Sequence, residues 1–235
     1  MSASVRRLDE IRGAEERLVA TVRGFDDSDL AHASLCEGWT RSHVLAHIAL
    51  NAHSVVNLIE WALTGIEKPQ YPNAEERAAD IERYSTRTAA EHLGALEEAG
   101  DRFRDAVESL PSDRWDFPVR GIGGSPQPVE TYLFGRLREV EVHHVDLDAG
   151  YGSSDWPDPF VREALASVPE RLGPRVSAPF AIDATDLGLS FAVGDGKPVT
   201  KVRGPGHALL LWFLRGIAKH VSSDAGPLPE LPSWG

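Results

Sequence analysis

Residues four apart on a helix project from one face, and this 235-residue sequence places chemically capable side chains at that spacing twice. His43, His47 and Asn51 form one row. Tyr132, Arg136, Glu139 and His143 form another, stepping by four, three and four. Two helices that face each other across a core bring His47 to Glu139 and His143. Two neutral imidazoles and one carboxylate make a three-ligand set for a zinc-type ion. Such a set leaves a coordination position open, and open sites do chemistry, whereas structural zinc sites are usually closed by four ligands. Spacing alone leaves alternatives. Glu141 with His144 is a competing pair on another face, and His43 can replace His47. A lone histidine on an apolar helix face is more often a hydrogen-bonded core residue, and a Glu/His pair four apart is a weak signal.

Other reactive groups offer less. Cys36 sits in SLCEGW just before a helix, with no base adjacent in sequence, and reads as packing under the helix start. No glycine-rich phosphate loop follows a strand, and GIGG at 121–124 lies between two helices. No serine nucleophile elbow is present. The acidic runs, DDSD and the stretch from Glu75 to Glu82, read as solvated faces.

The elements that must position these residues follow from periodicity. Val5, Leu8, Ile11, Leu18 and Val22 recur at helical spacing in a first helix. Thr40 or Ser42 caps a second, apolar helix running from about Ser42 to Thr64, with Gly65 as its stop. A short helical piece around Arg77 to Arg83 precedes a third long helix with Leu93, Leu96, Phe103 and Val107 on one face. Pro128 suits the first turn of a fourth helix that reaches about Asp146. YGSSDWPDP then reads as an interdomain connection. Beyond it come a helix (Phe160 to Leu172) and three strand-like runs, PFAIDAT, LGLSFAV and VTKVRG, with GDGKP as a hairpin turn between the last two. A final helix, HALLLWFLRGIAKHV, precedes a Pro-rich tail ending PSWG. The expected fold is mainly α: an antiparallel four-helix bundle over 1–150 and a small α/β domain with a short antiparallel sheet over 151–235.

Composition bounds the class. With 42% hydrophobic and 26% charged residues the chain is an ordinary globular protein. A net charge of −12 argues against binding nucleic acid or anionic lipid. One cysteine excludes an internal disulfide and fits a reducing cytoplasm. The N-terminus carries no apolar signal-peptide run, and Ala208 to Leu214 is too short to span a bilayer. A cytoplasmic monomer without a membrane or nucleic-acid partner is the expectation.

EGWTRSHVLAHIALNA, then NLIEWALTG and REVEVHHVDLDAG, together resemble the mycothiol-dependent maleylpyruvate isomerases, a branch of the DinB-like metal-binding four-helix bundles. The resemblance runs on through LGLSFAVGDGKPVTKVRG to the WFLRG helix and the Pro/Trp tail, which are similar to the family's C-terminal α/β domain, expected to close the active-site cleft. It implies that the metal ligands are His47, Glu139 and His143, rather than His43 or the Glu141–His144 pair. It also matches Arg77 and Arg136 to arginines of the family; each is expected either to bind a carboxylate of substrate or cofactor or to form an ordinary bundle salt bridge. The family carries a functional arginine just after a glycine in its last helix, whereas this chain reads Arg215-Gly216. Arg215 is the candidate catalytic arginine, expected either to reach the same cleft from one position earlier or to have lost that role. The implied cofactors are a divalent metal, zinc by preference, and mycothiol or another low-molecular-weight thiol. The implied reaction is isomerisation of maleylpyruvate to fumarylpyruvate by reversible thiolate addition, with thiol S-transfer to an electrophile as the alternative.

Overall fold

The computed structural model describes residues 3–122 and 124–232, with side chains from Arg6 onward. The side chain of Val5 and the terminal Ser233, Trp234 and Gly235 lie outside the described residues. The chain divides into two compact units between Tyr151 and Gly152.

The first unit is a ring of four long helices. They are α1 (Ala3–Val22), α2 (Arg41–Thr64), α4 (Ala89–Ser109) and α5 (Thr131–Asp146), with α3 (Ala74–Tyr84) laid on α2. Helix α2 packs on α4 and α5, and α1 packs on the same two from the other side. Ile11, Leu18 and Val22 of α1, Leu45, Ile48 and Leu58 of α2, Phe103 of α4 and Leu133 and Leu137 of α5 are buried. These are the apolar stripes that helical periodicity predicts.

Caps define where α2 begins and ends. Thr40 is its N-cap, and the Thr40 N–H donates to His43 Nδ1 at 3.3 Å. The imidazole thus takes the place that glutamate holds in a capping box. Gly65 ends the helix with φ +74, in the left-handed region glycine tolerates. Pro128 is not in the first turn of α5. It belongs to β2 (Gln127–Pro128), which pairs antiparallel with β1 (Pro118–Val119), and the helix begins three residues later.

The second unit carries α6 (Asp158–Ala166), α7 (Val168–Leu172), α8 (Gly206–Arg215) and a four-stranded sheet. The expected single helix from Phe160 to Leu172 is broken at Ser167, because Pro169 in the first turn of α7 has no N–H to continue the ladder. The strands are β3 (Phe180–Ala184), β4 (Leu189–Val193), β5 (Lys201–Gly204) and β6 (Ser222–Ser223), in the order β4-β3-β5-β6. The sheet is mixed rather than purely antiparallel: β3 pairs antiparallel with β4 but parallel with β5. GDGKP is accordingly not a hairpin turn. The hairpin lies one connection earlier, where Gly188 at φ +61 closes the turn between β3 and β4. Helix α8 stops at Arg215 because Gly216 takes φ +69, so Ile217 to Val221 do not continue it. Among the described residues, no helix is long and apolar enough to cross a membrane.

Candidate metal centre

Helix α2 meets α5 along the faces that carry the two chemical rows. His47 is buried at 5% exposure, and its Nε2 lies 2.8 Å from Glu139 Oε2. His143 Nε2 lies 3.4 Å from the same carboxylate oxygen. The two imidazoles meet edge to face, with ring centroids 4.7 Å apart. One ligand atom from each of His47, Glu139 and His143 falls within 4.8 Å of the others. A cation with ligand bonds of ~2 Å fits among atoms so spaced after small side-chain adjustment. The donor set of two imidazoles and a carboxylate also suits it.

The hydrogen bonds fix how each ring is used. Arg77 of α3 can only donate, and its Nη2 lies 3.2 Å from His47 Nδ1. His47 therefore accepts at Nδ1 and donates from Nε2 to Glu139. Burial lowers the pKa of His47 and outweighs its bond to Glu139. Burial pushes Glu139 up, but hydrogen bonds from His143 and His47 win and hold it well below the usual carboxylate range. Burial likewise lowers His143, yet the bonds to Asp146, Cys36 and Glu139 prevail and raise it well above an ordinary histidine. The centre thus pairs an anionic carboxylate with one neutral and one readily protonated imidazole.

The competing residues have other partners. His43 Nδ1 is occupied by the Thr40 cap, and its Nε2 lies 3.4 Å from Glu82. Glu141, only 1% exposed, accepts from Arg17 and from the Tyr151 hydroxyl, both at 2.6 Å. His144 lies 2.8 Å from the Thr21 hydroxyl and stacks on Tyr151. This pair faces α1 rather than α2.

The arginines differ in setting. Arg77 is half-buried, with its guanidinium 5.5 Å from the centre of the Tyr71 ring and its Nη2 at His47. Arg136, 1% exposed, donates to Glu15, to the Ile48 carbonyl and to Asn51 Oδ1. Arg215 is the last residue of α8, and its Nη1 donates to the Leu214 carbonyl.

Sequence reasoning misses two residues near the centre, Trp39 and Asp146, and reads Cys36 only as packing under the helix start. Trp39 packs against His47 with centroids 5.6 Å apart. Asp146 Oδ2 lies 2.8 Å from His143 Nδ1, and Cys36 Sγ lies 3.3 Å from that oxygen. Cys36 therefore does have acid–base groups beside it, contrary to the expectation from its sequence neighbours. Asp146 was findable, since it follows His143 by three positions on one helix. Cys36 was not, because the bonds that bring it there join residues 110 apart.

Residues 11–148 match the sequence model of the mycothiol maleylpyruvate isomerase N-terminal domain. A solved structure of the mycothiol-dependent maleylpyruvate isomerase superposes with a TM-score of 0.92 at 28% identity, covering 99% of this chain and 98% of that one. The structure of a histidine-to-alanine mutant of that isomerase matches with the same score, identity and coverage. Curated proteins gave no significant match.

Proposed function

The chain belongs to the mycothiol maleylpyruvate isomerase family, and from that premise we propose that it isomerises maleylpyruvate to fumarylpyruvate with a divalent metal and a small thiol. The observation that carries this reading is the convergence of His47, Glu139 and His143 within 4.8 Å. It occurs in a chain that matches such an isomerase over 99% of its length.

A carbon–carbon double bond rotates only when its π bond is interrupted. When bound, the metal and thiol supply a thiolate at neutral pH, whose reversible addition interrupts the bond and whose elimination restores it as trans. His47, Glu139 and His143 hold the cation. With one anionic ligand they leave a divalent ion a formal charge of about +1 by simple counting, which favours a thiolate partner. Trp39 packs against the His47 imidazole at a tilted angle. Addition moves charge onto the keto-acid end of the substrate as an enolate, and a guanidinium placed there stabilises it. We assign that role to Arg215 and the binding of a substrate or thiol carboxylate to Arg77. Arg136 we assign to the bundle, because its donors are spent on Glu15, Ile48 and Asn51.

Zinc-loaded protein incubated with maleylpyruvate should yield fumarylpyruvate only when mycothiol is present. His47→Ala should lose both metal and turnover while far-ultraviolet circular dichroism stays unchanged. Full turnover by a metal-free His47→Ala variant would overturn the mechanism. One observation favours a second reading, S-transfer of the thiol to an electrophile: Gly216 is the left-handed cap of α8, so the arginine precedes the cap instead of following it. A stable thiol adduct in the same incubation, in place of fumarylpyruvate, identifies that outcome.

A further inference from the structure

His143 has two ring nitrogens with different surroundings. Its Nε2 faces Glu139, on the side of the candidate metal centre. Its Nδ1 lies 2.8 Å from Oδ2 of Asp146, a carboxylate with no solvent exposure. The same Oδ2 accepts from the Cys36 thiol at 3.3 Å, and Cys36 Sγ is 3.9 Å from His143 Nδ1. One carboxylate oxygen thus gathers an imidazole N–H and a thiol S–H.

The loop that carries Cys36 is tightly fixed. The Leu35 N–H donates to the main-chain carbonyl of Asp146 at 2.9 Å. Ser34 Oγ accepts from the Cys36 N–H and donates to the Trp39 carbonyl. An isolated bridge joins Ala33 to Thr40, and Gly38 at φ +78 permits the turn between them. The sulfur is therefore held against Asp146 by the backbone on both sides of it.

We propose that Asp146 and Cys36 are positioning residues for the metal ligand His143. Asp146 keeps the hydrogen on Nδ1, which presents the Nε2 lone pair to the cation and makes the imidazole a stronger donor. Cys36 fixes the rotation of that carboxylate by donating to the oxygen that the imidazole uses. The chain's one cysteine is in this account a strut of the metal centre and no nucleophile. The inference rests on the proposed metal reading and extends it to two residues outside the ligand set.

The test is zinc affinity, measured by competition with a fluorescent chelator, on the parent and on Asp146→Asn, Cys36→Ala and Cys36→Ser. Asp146→Asn should weaken zinc binding about tenfold or more, the range seen when such partners of metal-bound histidines are removed. Cys36→Ala should weaken it by a smaller factor of about three, and Cys36→Ser, which retains a donor, should restore most of that loss. Thermal stability without zinc should be equal for the two Cys36 variants, which a purely structural role would not predict. If Asp146→Asn fails to fold, the Cys36 pair decides alone. Parent-like affinity in Cys36→Ala overturns the inference while leaving the metal reading intact. So does a fall in zinc stoichiometry from two to one, which would mean that Cys36, His143 and Asp146 hold an ion of their own. A parent that binds no zinc overturns both.

Discussion

Replacing Arg136 with methionine separates the two roles expected of this arginine, and the structure sets the size of the effect. The guanidinium is 1% exposed, and Glu15, whose side chain is 15% exposed, accepts from both its Nε and its Nη2. Its Nη1 bridges the Ile48 carbonyl, one residue after His47, to Asn51 Oδ1. The ring of Phe103 lies 6.0 Å away. Methionine approximates the aliphatic stem, so the packing loss is small and the lost bonds dominate. Breaking a buried ion pair from one side typically costs about 3–5 kcal/mol, chiefly because the other charge is left desolvated and unpaired. For a protein of this size that lowers the melting temperature by on the order of 10 °C. Glu15→Gln in the same background removes the stranded charge and should return a part of the loss. A double-mutant cycle by urea unfolding should therefore give a coupling of about 2–3 kcal/mol. Zinc affinity and KM of the folded variant should stay near those of the parent. A variant with parental stability and a sharply raised KM would refute the reasoning, because the guanidinium would then be serving a ligand rather than the bundle.

Two further outcomes follow from the same geometry. His92 is 1% exposed, its Nε2 lies 2.7 Å from the Ser42 hydroxyl, and burial, helped by Arg87, pushes its pKa down to about 4. Since the folded value lies below the unfolded one of about 6.5, its contribution is complete above pH 6.5 and is lost as pH falls towards 4, by up to about 3 kcal/mol. The difference in urea midpoint between the parent and His92→Gln should narrow over that window, and parallel profiles would count against it. For Arg77, zinc binding through His47 Nε2 moves the hydrogen to Nδ1, where it opposes a guanidinium that can only donate. A zinc-loaded crystal structure should show Arg77 withdrawn from His47, and an unchanged contact at 3.2 Å would contradict this.

What the sequence disclosed depended on how local the cause was. Helical periodicity is local, so α1, α2, α4 and α5 were legible from their spacing, and Gly65 marks the stop of α2 by a backbone angle few other residues tolerate. Gly216 takes a similar angle at the end of α8, yet HALLLWFLRGIAKHV reads as one helix through it. The sheet was less legible because pairing is a long-range choice. LGLSFAV and VTKVRG read as neighbours across GDGKP, yet β3 takes β4 on one edge and β5, running parallel, on the other.

The centre shows the same division at the level of single side chains. Glu139 with His143 and Glu141 with His144 both obey helical spacing on α5, so periodicity gives no ground for preferring either. The two pairs are told apart by what stands opposite. Arg17 and Thr21 of α1 meet Glu141 and His144, whereas His47 of α2 meets Glu139 and His143. That is tertiary information, and only the family resemblance supplied it in advance. Cys36 lies beyond the reach of either argument, and spacing offers Asp146 only as a neighbour of His143 without showing its role, since both touch His143 on the nitrogen turned away from the other ligands. A spacing rule finds the atoms that can bind a cation. It does not find the atoms that hold those atoms still, and if the zinc affinities of Cys36→Ala and Cys36→Ser diverge as expected, that second group sets much of the affinity.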